Sequence, residues 1–192
     1  TRIEGKCAIP KAGVKRAYIE GKNYQGDQLI YGSSQHSDRS LPKINESFTT
    51  DLLDFSGAIK EWKPTDSVTI SFVEEGVHFI KDGYVELDNI YLSGQLVIEA
   101  KDSIYVSSSA ILENVILKSE VIYVEAGFRG TAQFFGSKRI VLEEDVTLLY
   151  PSVVGLIEEE NRDTENAEIL IGEKSQVIGS VFAITESPDF RK

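Results

Sequence analysis

Ile104-Tyr105-Val106 recurs as Ile122-Tyr123-Val124 and again as Ile140-Val141-Leu142, an evenly spaced series. Ile169-Leu170-Ile171 follows after one longer step, lengthened by the stretch from Glu158 to Glu168, which has almost no apolar content. A period of about 18 residues, rich in β-branched side chains, is the pattern of a solenoid whose successive coils stack strand on strand. Strand side chains alternate between faces. Ile104, Ile122, Ile140 and Ile169 are therefore expected to form one inward column, and Val106, Val124, Leu142 and Ile171 the next. Tyr105, Tyr123, Val141 and Leu170 lie between them and point outward. A second inward pair of columns reads Ala110, Phe128, Val146 and Ser175, then Leu112, Gly130, Leu148 and Val177. Small and large residues trade places within these columns, so volumes are expected to compensate between neighbouring coils.

A third strand is visible at Val115-Ile116-Leu117, Gln133-Phe134-Phe135, Ser152-Val153-Val154 and Ser180-Val181-Phe182, with the Ser152 copy displaced by one position. Three short strands per turn predict an all-β fold, a parallel β-helix. Its hand should be right, because parallel crossovers within one sheet are nearly always right-handed.

Upstream the register is harder to follow. Val68-Thr69-Ile70-Ser71-Phe72 sits two periods before Ile104, while Asn89–Leu92 and Leu96–Ile98 supply further strands. Glu74–Gly83 reads as an insertion or a distorted coil. Over residues 48–63 the apolar positions Phe48, Leu52, Leu53, Phe55, Ala58, Ile59 and Trp62 approach helical spacing. They predict one short helix, capped by Thr50 or Asp51, that covers an open end of the solenoid. Val14–Gly21 and Leu29–Gly32 read as strands with glycine stops, and Ser33–Ser47 as an extended loop. The expected organisation is one domain over residues 1–192. Residues 1–65 form its irregular strands and short helix, and 66–184 its coils with the acidic insertion at 158–168.

Composition narrows the function classes. The chain of 192 residues is 41% apolar with a net charge of -11. The apolar share is that of a folded protein. The acidic balance argues against nucleic acid, which requires clustered lysine and arginine. The charge is uneven: between Thr1 and Lys22, Arg2, Lys6, Lys11, Lys15, Arg16 and Lys22 face only Glu4 and Glu20. This basic end fits an acidic partner, or packing against the acidic body of the chain. Cys7 is the single cysteine, so no intramolecular disulfide forms, and a buried thiol is expected. The absence of Met points to a mature or excised portion of something longer. Without a long apolar run, any signal peptide or anchor would already have been removed.

Reactive constellations are sparse. His36 and His78 stand in unrelated contexts and read as surface histidines, with no zinc-like spacing to Cys7. No phosphate-binding glycine loop or nucleophile elbow is present, and Asn45-Glu46-Ser47 is at most a weak glycan acceptor. Glu120 and Lys138 should pair at a bend between coils, contributing about 0–1 kcal/mol. At another bend Glu125 would lie above Glu143, with Glu144 and Asp145 beside them. Stacked carboxylates of this kind suit calcium, so Glu125, Glu143 and Asp145 are the candidate metal ligands of a carbohydrate-active alternative. Ser107 heads that column and no arginine recurs in it, which makes a structural bend the simpler reading. No cofactor is expected. The outward column Tyr105, Tyr123, Val141 and Leu170 is the candidate binding surface. An apolar strip is seldom left in water, so either the chain covers it or it meets a protein or sugar rings.

In coil length and core pattern, residues 68–184 resemble the short parallel β-helices of bacterial polymer-forming proteins such as bactofilins. The opening motif Gly13-Val14-Lys15-Arg16-Ala17-Tyr18-Ile19-Glu20-Gly21, followed by Leu29-Ile30-Tyr31-Gly32, is similar instead to bacterial extracytoplasmic β-helix proteins that accompany pilin-like secretion components. That resemblance implies an N-terminal membrane anchor outside this chain, a scaffold role beyond the inner membrane, and no catalytic residues. The insertion at 158–168 and the irregular segment 1–65 depart from bactofilins and count against end-to-end polymerisation. The expected function is a non-enzymatic structural or adhesive component of a bacterial cell-surface or envelope assembly, working through protein contacts or self-association. A polysaccharide binder or lyase is the alternative.

Overall fold

The computed structural model describes residues 3–16, 18–19, 21–38, 57–157 and 167–184. The chain divides into two compact units, Thr1–Leu53 and Asp54–Lys192. Among the described residues there is no helix, and almost all strand pairs are parallel.

The first unit holds β1 (Ile3–Glu4), β2 (Cys7–Ile9), β3 (Tyr18–Ile19), β4 (Lys22–Asn23), β5 (Ile30–Tyr31) and β6 (Ser34–His36). β1 pairs with β5 and β2 with β6, both parallel, while β3 and β4 form an antiparallel hairpin. Gly21, at φ 77°, turns that hairpin in a backbone region that side chains disfavour. Of the described residues in the strand expected at 14–21, Tyr18–Ile19 is strand; Val14, Lys15 and Arg16 follow a turn closed by Gly13 N–H on Pro10 O at 2.8 Å. Ser34–His36 is strand where a loop was expected, and residues 39–47 lie outside those described. Cys7 is half-buried, not buried, with Sγ 3.7 Å from Gly5 O.

The described residues of the second unit form one 11-stranded sheet. Its members are β7 (Ala58–Ile59), β8 (Val68–Ile70), β9 (Val77–Lys81), β10 (Tyr84–Leu87), β11 (Tyr91–Gly94), β12 (Leu96–Val106), β13 (Ile111–Val124), β14 (Arg129–Leu142), β15 (Thr147–Ile157), β16 (Glu168–Ile171) and β17 (Gln176–Ile184). Every pair in it is parallel. Ile104 pairs with Ile122, Ile122 with Ile140, and Ile140 with Ile169. The core consists of these residues: Ile104, Ile122 and Ile140 are buried, as are Val106, Val124 and Leu142. Ile171, on the last short strand, is exposed, because no described strand lies beyond it.

Three registers differ from expectation. Val68 pairs with Leu92, which pairs with Leu112, so it belongs to the Leu112 column; the residue above Ile104 is Val85. The stretch expected to be distorted, 74–83, contains the regular strand β9, paired along Leu96–Ala100. The third strand is offset by one: Val115 pairs with Ala132 and Leu117 with Phe134, while Gln133 points outward opposite Ile116. The cause is Asn114, whose φ of 58° inserts a left-handed residue into β13 and shifts the ladder. A second shift separates Gly130 from Gln133 against Leu148 and Val153. Buried Ser152 repairs it, donating Oγ–H to Leu149 O at 2.5 Å and accepting Ala132 N–H at 3.3 Å.

Volume does compensate around Gly130, but within its own strand region. A Cβ there would lie 2.8 Å from Phe128 Cζ, so the ring already occupies the space. The short helix expected over 48–63 is not formed in its described part: Ala58–Ile59 is strand and 60–63 is irregular, while 48–56 lie outside the described residues. Trp62 still covers the core there, stacked on Phe79 with ring centroids 5.2 Å apart and Nε1 donating to Asp66 O at 2.8 Å. A single aromatic in an irregular segment provides the cover expected of a helix.

Candidate functional site

The parallel register aligns Glu86, Tyr105, Tyr123, Val141 and Leu170 in one outward column of β10, β12, β13, β14 and β16. Tyr84, Ser103, Val121, Arg139 and Glu168 form the column beside it. Tyr105, Tyr123 and Val141 are half-buried and Leu170 is exposed. The Tyr105 and Tyr123 rings stack with centroids 5.5 Å apart and planes 12° apart, so each turns a face to the other. Arg139 Nε and Glu168 Oε1 close one side at 2.9 Å.

The carboxylates predicted at the bend lie along the other side of this column, and they are used by the chain. Glu125 accepts Ser108 N–H at 2.6 Å and Ser107 Oγ–H at 3.0 Å, and it also takes the Tyr105 hydroxyl. These donors, the Ser108 amide foremost, hold its carboxyl down to about 2. Burial, then the bond to Glu125, pushes the Tyr105 hydroxyl up to about 12. Glu143 accepts Ala126 N–H at 2.9 Å and the Tyr123 hydroxyl, and that bond raises the Tyr123 pKa. One bend earlier, Ser109 donates to Asp88 at 2.6 Å and lowers its pKa. Glu125 and Glu143 thus each satisfy a bend amide 17 residues upstream, whereas Asp88 takes the hydroxyl of a serine downstream. Asp145, at φ 57°, donates its N–H to Glu173 O and brings no carboxylate into this set. Among the described residues no group of three or more His, Cys, Asp and Glu is arranged to hold a metal ion.

Glu120 and Lys138 pair at 2.5 Å as the sequence predicts. His78 departs from the surface reading: it is buried, with Nε2 3.0 Å from Glu99 Oε2, and Lys118 Nζ lies 3.2 Å from Glu99 Oε1. Its neighbours show a face that sequence reasoning missed. Val97, Phe135 and Ile157 alternate with inward residues and so point away from the core, yet they are only 1%, 4% and 4% exposed. The signal was the unbroken apolar runs Leu96-Val97-Ile98 and Phe134-Phe135, which mark strands shielded on both sides. A cleft beside Trp62 is lined by Lys60, Lys63 and Lys81 together with Glu61, Asp66 and Asp82, so its charges balance.

No helix of the described residues is long and apolar enough to cross a membrane. No family model, curated protein or solved structure matches the chain.

Proposed function

We propose that this chain is a non-enzymatic structural or adhesive component of a bacterial cell-surface or envelope assembly, a rigid right-handed parallel β-helix that meets its partner through the tyrosine-bearing face. The observation that carries this reading is the half-exposed Tyr105–Tyr123 stack, in register with Val141 and exposed Leu170. A regular strip of this kind is the material of a protein contact, where tyrosine is favoured and strands hold it rigid. The in-register isoleucine pairs along successive parallel strands support the β-helix, and parallel connections favour the right hand. An extracytoplasmic location goes with this reading.

The polysaccharide reading needs free ring faces for stacking or free carboxylates for a cation. Here the two tyrosines face each other and Glu125 and Glu143 accept bonds from the chain. Tyr123→Asp tests the proposal. It should abolish partner or self-association in light scattering and leave the thermal transition little changed. A variant that unfolds would mean that the strip is internal packing, and the proposal would fail. Calcium titration of the wild type beside Glu125→Ala and Glu143→Ala, with turnover assays on acidic polysaccharides, tests the alternative.

A further inference from the structure

We propose that the occupant of the tyrosine-bearing face is a second copy of this chain, which inserts its basic turn at residues 10–16. The inference rests on that face being a contact surface and adds what it contacts. The chain is strongly segregated in charge. Thr1–Leu53 holds 8 lysines and arginines against 6 acids, whereas Asp54–Lys192 holds 12 against 25. Lys6, Lys11, Lys15, Arg16 and Lys22 are all exposed, and among the described residues none of them forms an ion pair. Three of them sit within one short exposed stretch. The turn from Pro10 to Gly13, closed by the 2.8 Å bond from Gly13 N–H to Pro10 O, carries Lys11, and Lys15 and Arg16 follow it.

The face has the complementary chemistry. Glu86 stands in the column itself, and the rim carries Glu125 and Glu143 with exposed Glu144 next in the chain. Lysine and arginine stems pack along tyrosine and aliphatic surface while their charged ends reach carboxylates at the border. Tyr123 and Glu143 are bonded to each other, and a carboxylate that accepts the Tyr123 hydroxyl and Ala126 N–H still has lone pairs for one more donor, so one approach meets both the ring and the charge. The contact joins two different patches. It is heterologous, with each patch supplied by a different copy.

Complementation of two disabled variants tests this. The full chain is made as wild type, as the triple variant Lys11→Glu, Lys15→Glu, Arg16→Glu, and as Tyr123→Asp, with exposed Leu170→Asp as a second face variant should Tyr123→Asp fold poorly. Sedimentation should show the wild type associating, at least about tenfold more weakly in about 500 mM than in about 50 mM NaCl. Each variant alone should be monomeric. An equimolar mixture of the triple variant with a face variant should give a heterodimer, because one supplies the intact face and the other the intact turn. Absence of that heterodimer overturns the proposal, as does a wild type that stays monomeric at about 100 µM. If the face variants lose association but the triple variant keeps it, the contact face stands and the basic turn is wrong. If the face variants keep it, both ideas fall.

Discussion

Replacing Gly130 by alanine puts a methyl group into space that Phe128 already fills. An ideal Cβ at Gly130 lies 2.8 Å from Phe128 Cζ and 2.9 Å from the backbone oxygen of Leu112. Neither distance is tolerable, and the two neighbours yield differently. The ring can tilt, but it is fully buried among packed side chains; Leu112 O belongs to the strand ladder and cannot move without breaking pairing. Overpacking of this kind costs about 1–3 kcal/mol. Phe128→Ala should cost ~3–5 kcal/mol, toward the upper end, because Gly130 beside it has no side chain to collapse into the void. The informative variant is the pair Phe128→Leu with Gly130→Ala. Shortening the ring removes the Cζ clash and leaves the Leu112 O clash, so the double variant should be more stable than the sum of singles by ~1 kcal/mol, without full recovery. Urea unfolding at constant m-value reads the wild type, the singles Phe128→Leu and Gly130→Ala, and the double variant. Strictly additive costs would refute the claim that this ring fills the glycine's space, and so would a neutral Gly130→Ala.

Further outcomes follow from the bend and the bulge. Glu125, held at about 2 against an ordinary 4.5, has a depressed folded pKa, so its contribution is complete above pH 4.5 and is lost as pH falls toward 2. Tyr105, raised from 10.0 to about 12, contributes fully below pH 10 and loses its contribution as pH rises toward 12. Thermal melts across this range should show a plateau that falls at both ends. Glu125→Gln should flatten the acid limb, and an unchanged limb would remove the carboxylate from the account. Asn114→Gly should be neutral to stabilising, whereas Asn114→Val should cost at least ~1 kcal/mol, because φ of 58° suits glycine and asparagine and strains a branched residue. Equal stabilities would mean that the bulge does not need that conformation. Trp62→Ala should raise hydrogen exchange at Val77–Lys81 well before it affects β13 and β14, since the indole stacks on Phe79 at that end.

The isoleucine ladder was legible because its spacing never changes between Ile104 and Ile140, and a period-two strand can bury only one face of such a repeat. Positions that broke the spacing were not legible. Asn114 adds a residue to its strand without changing the apolar pattern around it, so the sequence aligns Val115 with Gln133 when Val115 pairs with Ala132. The Glu74–Gly83 stretch hid β9 for a related reason. Its strand Val77-His78-Phe79-Ile80-Lys81 contains a histidine where an outward polar residue is expected, and that histidine is buried beside Glu99. The helix read over 48–63 came from apolar spacing that Ala58, Ile59 and Trp62 satisfy for another purpose: two in a short strand and one as a lid on Phe79. Of the site, the column Tyr105, Tyr123, Val141 and Leu170 and the bend carboxylates were readable; the use of those carboxylates was not, since a glutamate looks the same whether it awaits a cation or accepts Ser108 N–H.

Alternation tells which way a side chain points and says nothing about what lies over it. Tyr123 and Val97 are both outward in that sense, yet Tyr123 is half-buried and Val97 is 1% exposed. Two features separate them. Val97 sits in the unbroken run Leu96-Val97-Ile98, whereas Tyr123 carries a hydroxyl that must find an acceptor and finds Glu143 at the border of the sheet. A residue that keeps a polar end tied to a solvated rim suits a surface that is reversibly wet, and a purely aliphatic one suits permanent cover. On the proposed function, a contact to be made and broken with another molecule is expected on the tyrosine face. Substitutions at Val97 or Phe135 should act through stability, and those at Tyr123 or Leu170 through association.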